Sequence, residues 1–96
     1  SLGILMEGVP GGLNIKEIES TILRVDGVTD VHDLHVWAVS SGRNVLTSHV
    51  VVRDLVDRDA ALADVINAVS HAFDIHHCTI QMESTDFHKD TPIPSH

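Results

Sequence analysis

One stretch rich in β-forming residues, VTDVHDLHVWAV from Val28 to Val39, constrains the fold more than any other part of the chain. It predicts a strand that carries two histidines, His32 and His35, and the only tryptophan, Trp37. The segments on either side are arranged to pack against this strand and to bring further histidines close to it.

The segment before this strand predicts a helix over 14–25. Asn14 is a favourable N-cap and Glu17 follows it at capping-box spacing. The apolar residues that follow recur at helical spacing and form one stripe. Gly27 suits the left-handed conformation that commonly follows a helix.

The rest of the chain predicts two more strands and a second helix. The strands cover 45–53 and 75–83, and the helix covers 58–72 with Asp57 as its N-cap. A short turn at 40–44 favours an antiparallel first pair, and the helical connection favours parallel placement of the third strand. The predicted fold class is α/β: an αββαβ open sandwich, ferredoxin-like, with a three-stranded mixed sheet and two helices on one face.

Ninety-six residues support one small domain. Glycines and a proline make 1–13 an expected lead-in linker, 14–84 the domain, and 85–96 a tail that is loose or docked only by Phe87. No apolar run approaches the roughly 20 residues of a membrane-spanning helix, and no signal peptide is visible. The chain is therefore expected to be soluble.

The composition is acidic and rich in histidine. Fourteen acidic residues against six basic ones argue against a nucleic-acid partner, because phosphate binding needs a basic face. Eight histidines beside many carboxylates suit cations, although scattered surface histidines would give the same composition. The single cysteine, Cys78, cannot form an internal disulfide and is compatible with a reducing cytosol.

Strand alternation sorts the side chains of the second and third strands. It places His49 and Glu83 on the face without helices and Cys78 on the face towards them. Cys78 is therefore interpreted as a small buried hydrophobe, not as a nucleophile or ligand. With no other activated nucleophile or acid–base pair in view, the chain is not expected to be an enzyme.

The first strand is harder to sort. Its better core set contains Leu34 and Val36, which places His35 and Trp37 outwards and gives His32 the parity of the core. His32 reaches the open face only if the strand begins after it or contains a bulge near it. Alternation alone leaves both alternatives open.

Histidine and carboxylate donors from three strands predict a metal site. The candidates are His32, His49, His76 or His77, and Glu83, whose donors suit Zn²⁺ or a similar ion such as Cd²⁺, Co²⁺ or Ni²⁺. The alternative is that histidines such as His35 are ordinary surface residues. The sequence has no local ligand spacing of the Cys-x-x-Cys kind, so spacing by itself is weak evidence for a metal site.

With these residues in view, the chain resembles the cytoplasmic C-terminal domain of cation diffusion facilitator transporters, which export zinc, cobalt or cadmium. The resemblance rests on LMEGVP, VDGVTDVHDLHVWAVSSG, HV and HHCTIQME, which occur in this order at 5–10, 25–42, 49–50 and 76–83. The combination of HDLHVW with TIQ-x-E at this separation is specific.

The resemblance implies a metallochaperone-like domain that pairs with its twin at the cytoplasmic face of the inner membrane. It implies covalent continuity with a membrane domain and a homodimer that exchanges protons for divalent metal, with this domain binding metal to regulate transport. The implied ligands are His32, His49, His76 and Glu83. Further candidates are His35, His77, His88 and Gln81, since some relatives carry histidine at the position of Gln81. Two other functions remain open: a structural dimerisation domain with incidental metal binding, and a stand-alone metal carrier.

Overall fold

The computed structural model describes residues 11–85 and confirms the predicted order of elements. Most of the predicted lead-in and tail, including Phe87 and His88, lies outside the described residues. Each element begins and ends within about two residues of its predicted bounds. The elements are α1 (Ile15–Leu23), β1 (Val28–Ser40), β2 (Arg43–Val52), α2 (Arg58–Phe73) and β3 (His77–Ser84).

The three strands form one mixed sheet in the order β1-β2-β3. The β1 and β2 strands pair antiparallel across their short turn, and β2 pairs parallel with β3 through the α2 connection. Both pairings confirm the prediction. Because β2 is central, most of its residues have a paired neighbour on each side, which places β2 at the middle of any site built on the sheet.

Both helices begin at side-chain caps that the sequence indicates. The Asn14 Oδ1 accepts hydrogen bonds from the backbone N–H groups of Lys16 (2.9 Å) and Glu17 (3.3 Å). At α2, the Asp57 Oδ1 accepts from the N–H groups of Asp59 (3.0 Å) and Ala60 (3.1 Å). Such caps satisfy donors that have no partner within the helix, and each stabilises the fold by about 1 kcal/mol.

The hydrophobic core lies between the two helices and one face of the sheet. The helices contribute residues at helical spacing, and β2 contributes alternate residues. Full burial of each such side chain contributes about 1.5–3 kcal/mol before conformational entropy is subtracted. The fully buried members include Ile18, Ile22, Leu46, Val50, Val52, Val65 and Val69. Within residues 11–85, no helix is both long and apolar enough to cross a bilayer.

Alternation assigns the remaining strand residues as predicted. Cys78 is half-buried and packs against the core, and burial raises the pKa of its thiol. A protonated, half-buried thiol is a poor ligand and a poor nucleophile, which agrees with its interpretation as a small hydrophobe. Trp37 lies outwards and is 38% exposed. The sheet face away from the helices thus carries this ring and polar side chains, with Val45 and Val51 of β2 among them.

Candidate metal centre

The sheet register aligns three polar residues across the open face. His32 on β1 pairs with His49 on β2, and His49 pairs with Gln81 on β3. Glu83 lies two residues beyond Gln81, so alternation places its side chain on the same face. Three neighbouring strands therefore bring donors to one point, although these donors are far apart in sequence.

A bulge in β1 decides the orientation of His32. The register of β1 against β2 shifts by one residue between His32 and His35. Asp33 within this interval has a φ of 55°, a left-handed conformation that aspartate adopts more readily than most residues. The extra residue reverses the alternation, so Val31 and Leu34 are both buried while His32 is not. Of the two alternatives left by the sequence, the bulge is the one observed.

Ser48 lies behind the bulge and is 3% exposed on the core face of β2. Its hydroxyl is 3.2 Å from the carbonyl oxygens of both His32 and His49 and donates to them. A bulge disrupts the local hydrogen-bond ladder, and a buried polar group without a partner is costly. In the sequence, Ser48 shares its strand face with the apolar residues Leu46, Val50 and Val52. The bulge explains why a hydroxyl is found on this face, because the Ser48 hydroxyl contacts carbonyl oxygens there.

The side chains of His32, His49 and Glu83 form one cluster, with one donor atom of each lying within 4.8 Å of the others. The Nε2 of His32 is 3.2 Å from Oε1 of Glu83, and the Nδ1 of His49 is 2.9 Å from Oε2 of the same carboxylate. The two imidazole rings meet edge to face with centroids 4.9 Å apart. Glu83 is only 6% exposed, whereas the histidines are about one-third exposed. The cluster therefore combines a nearly buried carboxylate with two partly exposed imidazoles.

Two neighbouring polar groups complete the surroundings of the cluster. The Gln81 Nε2 donates to Oε2 of Glu83 at 2.9 Å and orients the carboxylate. The Asp33 Oδ2 lies 3.6 Å from Nδ1 of His32 and 3.8 Å from Nδ1 of His49. Sequence reasoning did not include Asp33 among the candidate ligands. The signal for it was its position beside a histidine of core parity, where a bulge was one of the two alternatives that alternation left open.

The structure does not bring His76 to the other three predicted ligands. His76 precedes β3 and lies five residues before Gln81, which at about 3.3 Å per residue places it about 16 Å away along the strand. Its Nε2 is 2.6 Å from Oδ1 of Asp74, and its Nδ1 is 2.9 Å from the hydroxyl of Ser70. The predicted four-residue ligand set is thus assembled only in part.

The other candidates also lie apart from the cluster or beside it. His77 is exposed at the start of β3, opposite Val45. His35 is exposed and pairs with Thr47, two residues from His49 along β2. An open groove of about 400 Å³ has both His35 and His49 among its lining residues. His35 therefore shares the open face with the cluster without belonging to it.

Comparison with known proteins places the chain in a family. The family model for the cytoplasmic domain of cation efflux proteins matches residues 10–85. The chain belongs to this family. The resemblance drawn from HDLHVW and TIQ-x-E is thereby confirmed. The matching model describes a cytoplasmic domain, as the resemblance implied.

Curated relatives of this family member are longer proteins. The chain is 43% identical over 84 residues to the metal cation efflux system protein CzcD of Cupriavidus metallidurans, covering 86% of the chain and 27% of that protein. It is 41% identical over 81 residues to the human proton-coupled zinc antiporter SLC30A8, covering 84% of the chain and 22% of that protein. The chain thus spans about a quarter of the length of these relatives. Both relatives are named as transporters of metal cations.

A solved structure of the family has the same fold. The metal-bound C-terminal domain of the CzcD transporter from C. metallidurans matches with a TM-score of 0.70 and 40% sequence identity. The match covers 74% of the chain and 99% of that domain. The predicted αββαβ architecture is therefore shared with a domain that was solved with metal bound.

Proposed function

We propose that the chain is a metal-binding regulatory domain of a divalent-cation efflux transporter, and that it binds zinc or a similar ion at His32, His49 and Glu83. The observation that carries this proposal is the convergence of two imidazoles and a nearly buried carboxylate from three adjacent strands. A metal ion bound at such a point ties together segments that are distant in sequence, so its binding is coupled to folding.

The donor chemistry supports a divalent transition metal. Imidazole nitrogen and carboxylate oxygen bind Zn²⁺ at about 2.0–2.2 Å, and the same donors serve Cd²⁺, Co²⁺ and Ni²⁺. Glu83 and Asp33 bring two negative charges to the cluster, which a divalent cation balances. The partial exposure of both histidines leaves room for water or another ligand at a fourth coordination position. His76 of the same chain lies outside this position and contacts Asp74 and Ser70 instead.

The acidic charge supplies a mechanism for regulation. The chain carries a formal charge of −8, so two copies side by side repel one another at low ionic strength. Metal bound on the open face reduces this repulsion and ties β1, β2 and β3 together. In the proposed homodimer, metal therefore favours a closed pair of domains. That closure biases the attached membrane helices towards proton-coupled export of metal.

Zinc titration of two matched histidine variants tests this assignment. His49→Ala is expected to remove the highest-affinity zinc site, because it deletes a ligand from the central strand. His35→Ala is expected to leave the affinity unchanged within about twofold, since His35 lies on the same face outside the cluster. Isothermal titration calorimetry measures both, and the reverse order of effects would refute the assignment.

Solution scattering and sedimentation then test the regulatory mechanism. Zinc is expected to raise the dimer fraction of the unmodified chain and to shorten the separation between the paired domains, but not in His49→Ala. If calorimetry shows bound zinc while both quantities stay unchanged, the regulatory mechanism is wrong. Dimerisation as tight without metal as with it would support a structural dimerisation domain instead. A chain that binds zinc but stays monomeric would support a metal carrier.

A further inference from the structure

We infer that Asp33 is a positioning residue of the metal centre: its carboxylate holds the Nδ1–H of His32, so that the Nε2 lone pair of His32 faces the metal. This inference rests on the proposed metal site. It adds a residue that neither the predicted ligand set nor the three-residue cluster contains.

The His32 ring lies between two carboxylates. Its Nδ1 is 3.6 Å from Oδ2 of Asp33, and its Nε2 is 3.2 Å from Oε1 of Glu83. A neutral imidazole has one N–H donor and one lone-pair nitrogen, and the partner of one nitrogen fixes the role of the other. With metal on the Glu83 side, Nε2 supplies the lone pair and Nδ1 keeps the proton. Asp33 is the carboxylate at that proton.

The contact between Asp33 and His32 closes readily. A separation of 3.6 Å is longer than a direct hydrogen bond, and a small rotation of the Asp33 side chain closes it. The Asp33 side chain is 65% exposed and has room for this rotation. Carboxylates that accept the second N–H of a metal-ligating histidine are a general feature of metal sites, and they orient the ring and strengthen it as a ligand.

The backbone alone does not account for the carboxylate at this position. The left-handed conformation of Asp33, with φ of 55°, is adopted most easily by glycine and also by asparagine. Either residue would carry the bulge that turns His32 outwards. Aspartate additionally brings a negative oxygen to within 4 Å of both imidazoles, at Nδ1 of His32 and Nδ1 of His49. The side chain therefore has a function that the bulge does not require.

Variants of Asp33 can separate its backbone conformation from its carboxylate. Asp33→Asn and Asp33→Gly both tolerate the left-handed backbone, and asparagine keeps an oxygen that accepts a hydrogen bond. Asp33→Gly is expected to weaken zinc binding by about 10–100-fold, and Asp33→Asn by less, because its carbonyl oxygen partly restores the contact. Asp30→Asn is the matched control: it removes the same charge from the same strand and keeps an oxygen for the hydrogen bond from Val31 N. It is expected to change affinity by less than about twofold.

The protonation of the ring separates positioning from a general structural effect. Nitrogen-15 NMR of the zinc-loaded, unmodified chain is expected to show His32 bound through Nε2 with a proton on Nδ1. X-ray absorption at the zinc edge is expected to show the same number of ligands in Asp33→Asn as in the unmodified chain. Zinc on Nδ1 of His32, the loss of an oxygen ligand in Asp33→Asn, or unchanged affinity in both Asp33 variants would each overturn the inference.

These outcomes are distinguishable from a failure of the proposed function. If the unmodified chain binds no zinc, the metal site itself is wrong, and this inference falls with it. If the unmodified chain binds zinc through His32, His49 and Glu83 while the Asp33 variants bind equally well, only the positioning role is wrong. Circular dichroism of each variant confirms that the fold is retained, and Asp33→Asn decides the matter if Asp33→Gly does not fold.

Discussion

Replacing Glu83 with glutamine is expected to lower zinc affinity by about 100-fold. Structural zinc sites contribute roughly 10–16 kcal/mol at neutral pH, and an even division among four ligands gives about 3 kcal/mol each. Glutamine keeps the size of the side chain but removes its negative charge. Because the Glu83 carboxylate contacts both His32 and His49, its loss affects the whole cluster.

Thermal unfolding with and without zinc measures this effect. At zinc concentrations 100-fold above the dissociation constant, the unmodified chain gains about 2.7 kcal/mol of stability. For a domain of this size, that raises the unfolding midpoint by roughly 10–20 °C. In Glu83→Gln at the same zinc concentration, the rise is expected to shrink to about 2–3 °C.

Glu17→Gln is the matched control for Glu83→Gln. Glu17→Gln changes the same chemical group at an exposed position on α1 and is expected to keep the full rise. It also controls for zinc binding to histidines in the unfolded chain, which lowers the rise equally in all variants. An equal rise in Glu83→Gln and in the unmodified chain would show that Glu83 is not a ligand.

Gly27→Ala is expected to destabilise the metal-free fold by about 2–3 kcal/mol. Gly27 joins α1 to β1 with a φ of +92°, a conformation that L side chains rarely adopt. A Cβ at this position would lie 2.9 Å from Cγ2 and 3.0 Å from Cγ1 of Val56, so the neighbouring loop would have to move. The Gly27 carbonyl also accepts a hydrogen bond from Arg53 N at 3.0 Å, which anchors the start of β1 against the end of β2.

Gly42→Ala is the matched control for this prediction. Gly42 has a similar positive φ of +75°, but no atom lies within 4 Å of an added Cβ. It is expected to lose only about 1 kcal/mol, which is the cost of the backbone conformation alone. Urea unfolding of both variants measures the difference. Equal losses would show that contact with Val56 does not contribute.

Much of the fold could be predicted because local signals and periodicity agree with it. Asn14 and Asp57 mark the helix starts, and alternation in β2 and β3 separates His49 and Glu83 from the core. These features depend on residues close together in sequence, so the sequence is sufficient to find them. The α1 helix ends at Leu23, somewhat earlier than predicted, since apolar spacing continues to Val25 beyond the last helical turn.

The orientation of His32 could not be predicted from alternation, because a single left-handed residue reverses it. Aspartate favours such a conformation only weakly, and nothing else in VHDLHV indicates which residue forms the bulge. The resemblance supported His32 where alternation did not. Ser48 adds a signal that only the register makes visible, since its hydroxyl lies opposite the bulge.

His76 is the implied ligand that the structure places apart from the other three. His76 and Glu83 belong to one short motif, HHCTIQME, yet His76 lies just before β3 and Glu83 lies near the far end of that strand. Residues close together in sequence are far apart in a strand, whereas His32, His49 and Glu83 are distant in sequence and adjacent in space. The strand register decides which residues meet, and it requires the structure.

Anomalous diffraction at the zinc absorption edge, from crystals of the zinc-loaded chain, tests the central claim most directly. The proposed site predicts a zinc peak within about 2.0–2.2 Å of His32 Nε2, His49 Nδ1 and a carboxylate oxygen of Glu83. A zinc peak held by His76 or His77, with none at this cluster, would contradict it.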